Sequence, residues 1–216
     1  MQRVAIIGGG PAGLMAAEVL AGAGVQVLLF DAMPSVGRKF LLAGKGGLNL
    51  THSENADAFA SRYGERRVFI EPLLRDFGSD ALRAWAHGLG VQTFVGSSGR
   101  VFPTEMKAAP LLRAWLHRLR HPVTGESVQF HMRHRWTGWV GDDPLNLAFQ
   151  TPQGPVQMQA RSVVLALGGG SWAQLGSDGA WVPMLASQGV GLAPLLPVNC
   201  GFEVDHGWSE HFRSRF

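Results

Sequence analysis

The sequence predicts an α/β protein, with a central parallel sheet flanked by helices and an antiparallel β-meander placed before the sheet's last strand. Three observations predict it. An apolar run, Val4-Ala5-Ile6-Ile7, enters a glycine turn and a helical segment, and a second apolar run from Val25 to Phe30 follows at strand–helix–strand spacing. Between Glu126 and Ala160, short apolar stretches alternate with Gly, Asp and Pro, the pattern of antiparallel strands. Ser162 to Leu167 then reads as a continuous buried strand ending in Gly168-Gly169-Gly170, a second place where backbone can approach a ligand closely.

The first unit has the spacing Gly8-x-Gly10-x-x-Gly13 between strand and helix. Gly8 permits a tight turn, Gly10 removes the Cβ that would hold a phosphate away, and Gly13 lets the helix lie close on the strand. Pro11 falls in the first helical turn, where its missing N–H is least costly. The helix then points N–H groups and its positive dipole end at the turn, which suits a pyrophosphate. Asp31 ends the second strand, where a carboxylate can accept hydrogen bonds from a ribose hydroxyl. With Ala32 and Met33 after it and no Arg, the same carboxylate disfavours a 2′-phosphate. Strand, turn, helix, second strand and terminal acid together predict a Rossmann-like dinucleotide-binding unit.

Beyond Asp31, Pro34 to Thr51 is glycine-studded and holds two of the three lysines, with Arg38, Lys39 and Lys45 placed to face a pyrophosphate across the carboxyl end of the sheet. Asp57 to His87 reads as largely helical, with Phe59, Phe69, Leu73, Leu74, Leu82 and Trp85 as candidate core, stopped by Gly88 to Gly90. Val91 to Val95 and Arg100 to Pro103 are short strands around a Gly96–Gly99 turn. Lys107 to Arg120 is a helix with Pro110 in its first turn. The meander is expected over Val128–His131, Trp136–Val140, Leu145–Gln150 and Val156–Gln159.

The chain has 216 residues, 46% of them hydrophobic and 16% charged, enough for a real core. The net charge is only +3 despite a pI near 9.6. The densest basic cluster, His117, Arg118, Arg120 and His121 with Arg113, shares a helix with Leu111, Leu112, Trp115, Leu116 and Leu119, and is expected to be a solvated helix face rather than a nucleic-acid site. A single cysteine, Cys200, excludes a disulfide framework, a dithiol redox pair and a cysteine metal cluster within one chain. No stretch approaches the ~18–20 apolar residues of a membrane span, and Gly8 to Pro11 interrupts the apolar N-terminus too early for a signal peptide. These features are those of a cytoplasmic protein with no nucleic-acid or membrane partner.

Taken together, Gly8 to Asp31, Gly37-Arg38-Lys39 to Asn49-Leu50-Thr51, Gly99-Arg100-Val101-Phe102-Pro103 and Ala166 to Gly179 resemble the glutathione-reductase-type FAD flavoproteins, and among them the bacterial BaiN-like, or aminoacetone-oxidase-like, family. The resemblance implies a Rossmann-like FAD-binding domain over 1–188, with the meander at about 126–160, and the start of a second domain or a linker over 189–216, cut short at Phe216. It implies that Gly8, Gly10, Ala12 and Gly13 cradle the FAD pyrophosphate and that Asp31 binds the adenosine ribose. Arg38 and Lys39 would lie along the pyrophosphate or ribose. Asn49, Leu50 and Thr51 would approach the flavin, the backbone of Trp136 would meet the adenine, and Gly168 and Gly169 would flank the cofactor. Two local departures stand out. The flavin-side Gly-Gly-Arg-Cys-Asn of many relatives is Lys45-Gly46-Gly47-Leu48-Asn49 here, and Ala-Thr-Gly-Gly is Ala166-Leu167-Gly168-Gly169.

No Ser/His/Asp triad, zinc spacing or carboxylate pair offers a protein-based catalytic centre, so the chemistry falls to the cofactor. The expected function is an FAD-dependent oxidoreductase, or its FAD-binding portion, acting on a small organic substrate by flavin hydride transfer, with NAD(P)H or oxygen as candidate electron partner. The alternatives are a non-catalytic flavin- or nucleotide-binding module and an NAD-dependent dehydrogenase. His52, beside Thr51, is the histidine to watch, with a solvated loop role favoured over acid/base work.

Overall fold

β1 (Arg3–Ile7) and β2 (Gln26–Asp31) pair in parallel through the crossover helix α1 (Pro11–Gly22), as the glycine spacing requires. The computed structural model describes residues 3–43, 46–141, 143–196, 205 and 207–215. β6 (Gln129–Met132) extends the sheet beyond β2, and β10 (Ser162–Leu165) returns to pair with β1, giving a four-stranded parallel sheet in the order β10-β1-β2-β6.

The alternation of a strand sends successive side chains to opposite faces. Val4, Ile6, Val27 and Leu29 join a core with Leu14, Ala17 and Ala21 of α1 and with Leu112, Trp115 and Leu119 of α6 (Ala108–Arg120). Both helices bury the apolar stripe that their spacing predicts. On the opposite face Phe30 stacks on Phe149 at 4.5 Å and on His131 at 4.7 Å. Phe149 belongs to a three-stranded antiparallel meander, β7 (Arg135–Val140), β8 (Asp143–Thr151) and β9 (Gly154–Gln159). Burying side chains as large as Phe149, Trp115 or Leu29 contributes about 1.5–3 kcal/mol each.

One expected strand changes sheets. Val128 to His131, read as the first meander strand, overlaps β6, where Leu28 to Asp31 pair with Gln129 to Met132. The outer edge of β2 needs hydrogen-bond partners, and a strand that buries Val128 and stacks His131 on Phe30 supplies them. The meander therefore begins at Arg135.

Between β2 and β6 lies a long insertion. It begins with α2 (Arg38–Ala43), so part of the glycine-studded segment is helical, while Gly44 and Lys45 lie outside the described residues. β3 (Thr51–His52), β4 (Thr93–Val95) and β5 (Arg100–Pro103) form a small antiparallel sheet in the order β3-β5-β4. The helical stretch after Asp57 is broken into α3 (Ala56–Ser61), a 3-10 turn at Gly64–Arg66, α4 (Arg67–Asp76) and α5 (Ser79–Gly88). Asn55 caps α3 by accepting the Ala58 N–H at 2.8 Å. Of the expected core residues, Phe59, Leu74, Leu82 and Trp85 are half-buried, while Phe69 is 69% exposed and Leu73 62%, because α4 turns its apolar stripe outward while Arg67, Glu71 and Arg75 pair along its length. Arg118 also departs from the solvated face assigned to it, since it pairs with Glu18 at 2.6 Å and lies over the Trp85 ring.

The chain divides into two compact units, Met1–Gly179 and Ala180–Phe216. The second unit contains α7 (Trp181–Ser187) and α8 (Glu210–Arg213), the latter capped by Ser209. Cys200 and Phe216 lie outside the described residues. Among the described residues, no helix is long and apolar enough to cross a membrane.

Candidate functional site

At the carboxyl end of β1 the chain makes a left-handed turn at Gly8, φ +110°, where a Cβ would run into the carbonyl oxygen of Ala166 beyond β10. Gly13 sits equally close to the Gly8 carbonyl, so a side chain there would push α1 off the turn. Gly10 differs: it has ordinary extended backbone as the N-cap of α1, and no heavy atom stands within 4 Å of where its Cβ would be. The surrounding protein therefore does not itself demand glycine at this position, which faces open space. Pro11 occupies the first helical turn and Ala12 is exposed beside it. The first turn carries no acidic residue and no capping side chain, which leaves the positive end of α1 facing that space.

Asp31 is the pivot of the turn. Its Oδ2 accepts the Gly9 N–H at 2.7 Å and its Oδ1 accepts the Met33 N–H at 2.7 Å. Burial pushes its carboxyl above the usual carboxylate range, opposed by those two N–H donors and by the charges of Arg38 and Arg135. Each oxygen keeps a second acceptor direction for a ribose hydroxyl. Ala32, half-buried, follows Asp31 and does not line the cavity.

The turn and Asp31 open on a cavity of about 270 Å³. Gly8, Gly9, Gly10 and Pro11 form one wall, Arg38 and Lys39 of α2 a second, and Gly168, Gly169 and Ser177 a third. The Arg38 Nε is buried without a hydrogen-bond partner, while one terminal nitrogen reaches Ser35 Oγ at 3.5 Å. Lys39 Nζ donates to Ser171 Oγ at 2.7 Å, and Ser177 Oγ donates to the Gly169 carbonyl at 2.9 Å. The structure thus brings Gly8, Gly10, Pro11, Asp31, Arg38, Lys39, Gly168 and Gly169 to one cavity.

Other expected site residues lie elsewhere. Ala12 and Gly13 support α1 without lining the cavity. Asn49 is exposed, and Leu50 and Thr51 lead into and begin β3, with Leu50 N–H bonded to Val101 and the buried Thr51 hydroxyl 2.8 Å from that of Ser79. Trp136 is buried in β7 and packs edge-to-face on Trp139 at 4.8 Å. It too lies outside the cavity lining. His52 is part-exposed, and both of its ring nitrogens are engaged with neighbouring groups. Its Nδ1 accepts the Glu54 N–H at 3.1 Å, which leaves Nε2 to donate to the Ser98 carbonyl at 3.0 Å, over a Gly99 that has no room for a side chain. The ring is a clip between β3 and the β4–β5 turn.

Sequence reading missed Gly9, Met33 and Ser177. Gly9 was legible as the middle of Gly8-Gly9-Gly10, because a Cβ there would meet Val36 and Asp31 Oδ2. Met33 and Ser177 carry no such signal, since the wall beyond β10 meets the Asp31 turn only through the fold. A Cβ on Gly176 would come 2.8 Å from Met33 Cγ. Among the described residues, no group of three or more His, Cys, Asp or Glu could hold a metal ion.

Comparison with known proteins agrees with this architecture. The chain is 31% identical over 202 residues to the 3-dehydro-bile acid delta(4,6)-reductase of Clostridium scindens, an alignment that covers 91% of this chain and 46% of the reductase. The chain therefore spans about half the length of that curated relative. The fold is shared with the solved Sdh1 complex of Mycobacterium smegmatis at a TM-score of 0.56, with 15% identity over 79% of this chain and 35% of that one. It is shared with the 3-ketosteroid-delta4-(5alpha)-dehydrogenase of Rhodococcus jostii at a TM-score of 0.55, with 17% identity over 78% of this chain and 46% of the dehydrogenase. The family described as the HI0933-like protein Rossmann domain matches residues 2–201, and the resemblance to BaiN-like flavoproteins drawn from the motifs is met: the chain belongs to the HI0933-like family.

Proposed function

We propose that the cavity at the carboxyl end of β1 and β2 holds the pyrophosphate and adenosine ribose of FAD, and that the chain is the FAD-binding part of an oxidoreductase acting on a small organic substrate. The observation that carries the reading is the open space beside Gly10, faced by the unopposed positive end of α1 and by Arg38, whose buried Nε lacks a partner. A phosphate oxygen satisfies both the helix end and a guanidinium. The residues present fit the group: Gly8, Gly10 and the first turn of α1 give backbone close approach, Arg38 and Lys39 give charge, and Asp31 gives a ribose acceptor. Bound FAD supplies hydride transfer at its isoalloxazine. The chain's own residues bind and orient the dinucleotide. The name of the Clostridium scindens reductase supports reduction of an organic substrate as the direction of the chemistry.

The test is visible absorption of the purified chain after incubation with FAD and gel filtration, with NAD and NADP as parallel ligands. Flavin colour retained near one equivalent is the expected result. A colourless chain, or preferential retention of NAD, overturns the reading. Bleaching of the retained flavin by a reductant or substrate then distinguishes an enzyme from a binding module.

A further inference from the structure

The wall of the cavity contributed by residues 168–179 is built as a strap. Gly168 and Gly179, at φ +73° and +69°, stand at its two ends in the left-handed region that glycine enters freely. Between them Trp172 is held at φ +72°, a conformation that a bulky residue adopts only under constraint from its surroundings. Three contacts with residues distant in sequence tie the strap to the rest of the fold. Arg135 pairs with Asp178 at 3.1 Å, Gly176 lies against Met33, and Ser171 accepts Lys39 across 132 residues of sequence. The Ser177–Gly169 bond then closes the strap on itself.

Lys39 is the one contact that also belongs to the opposite, basic wall. Its ammonium has three donors and gives one to Ser171, which leaves the others for an anion in the cavity. Ser171 itself does not line the cavity. Resting on the reading of this cavity as a pyrophosphate site, we propose that Ser171 is a positioning residue: it latches the strap to Lys39, so that the ligand's charge, Lys39 and the strap release together, and the latch sets how long the dinucleotide stays bound. The bond is exposed and screened by solvent, so its contribution is small.

The experiment measures FAD release from the loaded full chain, by dilution into a trap of excess flavin-binding protein, for the wild type, Ser171→Ala, Ser171→Thr, Lys39→Met and the Ser171→Ala/Lys39→Met double variant. Loss of one such exposed hydrogen bond predicts release up to about fivefold faster for Ser171→Ala, with threonine restoring the wild-type rate because it keeps the hydroxyl. Lys39→Met also speeds release, and adding Ser171→Ala to it changes nothing further. Melting of the cofactor-free chains stays the same for wild type and Ser171→Ala, which a purely structural role for the serine does not predict. A Ser171→Ala rate equal to wild type, or an equal acceleration in the Lys39→Met background, overturns the latch while leaving the FAD reading intact. A wild type that retains no FAD overturns both.

Discussion

Asp31 Oδ2 accepts the backbone N–H of Gly9 at 2.7 Å, so the last residue of β2 holds the turn that follows β1. The carboxylate that sequence patterning assigns to a ribose therefore first shapes the cradle, and its second oxygen does the same for Met33. Asp31→Ala leaves two backbone N–H groups without acceptors. Part of that loss is offset because burial already penalises the charge. The expected cost is about 1 kcal/mol of stability, with a much larger proportional loss of FAD retention. Urea denaturation and flavin titration of the same preparation check the two effects separately.

Gly10 and Gly13 belong to one motif but answer to different neighbours. Gly13→Ala presses a methyl into the Gly8 carbonyl, and it is expected to lower stability by about 1–3 kcal/mol, as overpacking does, together with FAD retention. Gly10→Ala projects a methyl into open space and is expected to leave the melting temperature unchanged while weakening FAD. Thermal melts of the cofactor-free chains separate the two, and equal destabilisation by both substitutions contradicts this account.

Glu18 of α1 is the polar hub of the helical layer. Its Oε2 accepts the Trp115 indole at 2.6 Å and the Trp85 indole at 3.1 Å, while Oε1 pairs with Arg118 at 2.6 Å. The two indole rings meet edge-to-face at 4.8 Å. Glu18→Ala orphans two indole N–H groups and a guanidinium, for an expected loss of about 2–4 kcal/mol. Glu18→Gln retains an acceptor oxygen and falls between. Chemical denaturation monitored by tryptophan fluorescence reads the order; a neutral alanine variant removes the hub from the argument.

His131 packs on Phe30 with its Nε2 buried and unpartnered. Burial, with a smaller contribution from His134, holds its pKa below the usual imidazole range. The neutral ring is thus favoured in the folded chain. The stability linked to it is fully present above about pH 6.5, the ordinary imidazole value, and is lost as pH falls through that value toward the lower folded one. His131→Phe keeps the stack and cannot titrate. Melting temperatures measured across this window are expected to fall less steeply for the variant than for the wild type.

The sequence by itself determined the strand–turn–helix–strand unit, because everything it needs is local. Gly8, Gly10 and Gly13 declare themselves through spacing, and Asp31 through its place at the end of an apolar run. The helical stripe of α6 and the closing strand β10 were legible for the same reason. Only the tertiary structure decided which edge Val128 to Met132 would join, since an apolar strand fits a meander and a parallel sheet alike until β2 presents its unpaired edge. It also decided that α4 turns Phe69 and Leu73 outward, that His52 clips a hairpin, and that Lys39 meets Ser171. Each of these depends on a partner far away in sequence, and side-chain type and period carry no information about which distant backbone will arrive beside them.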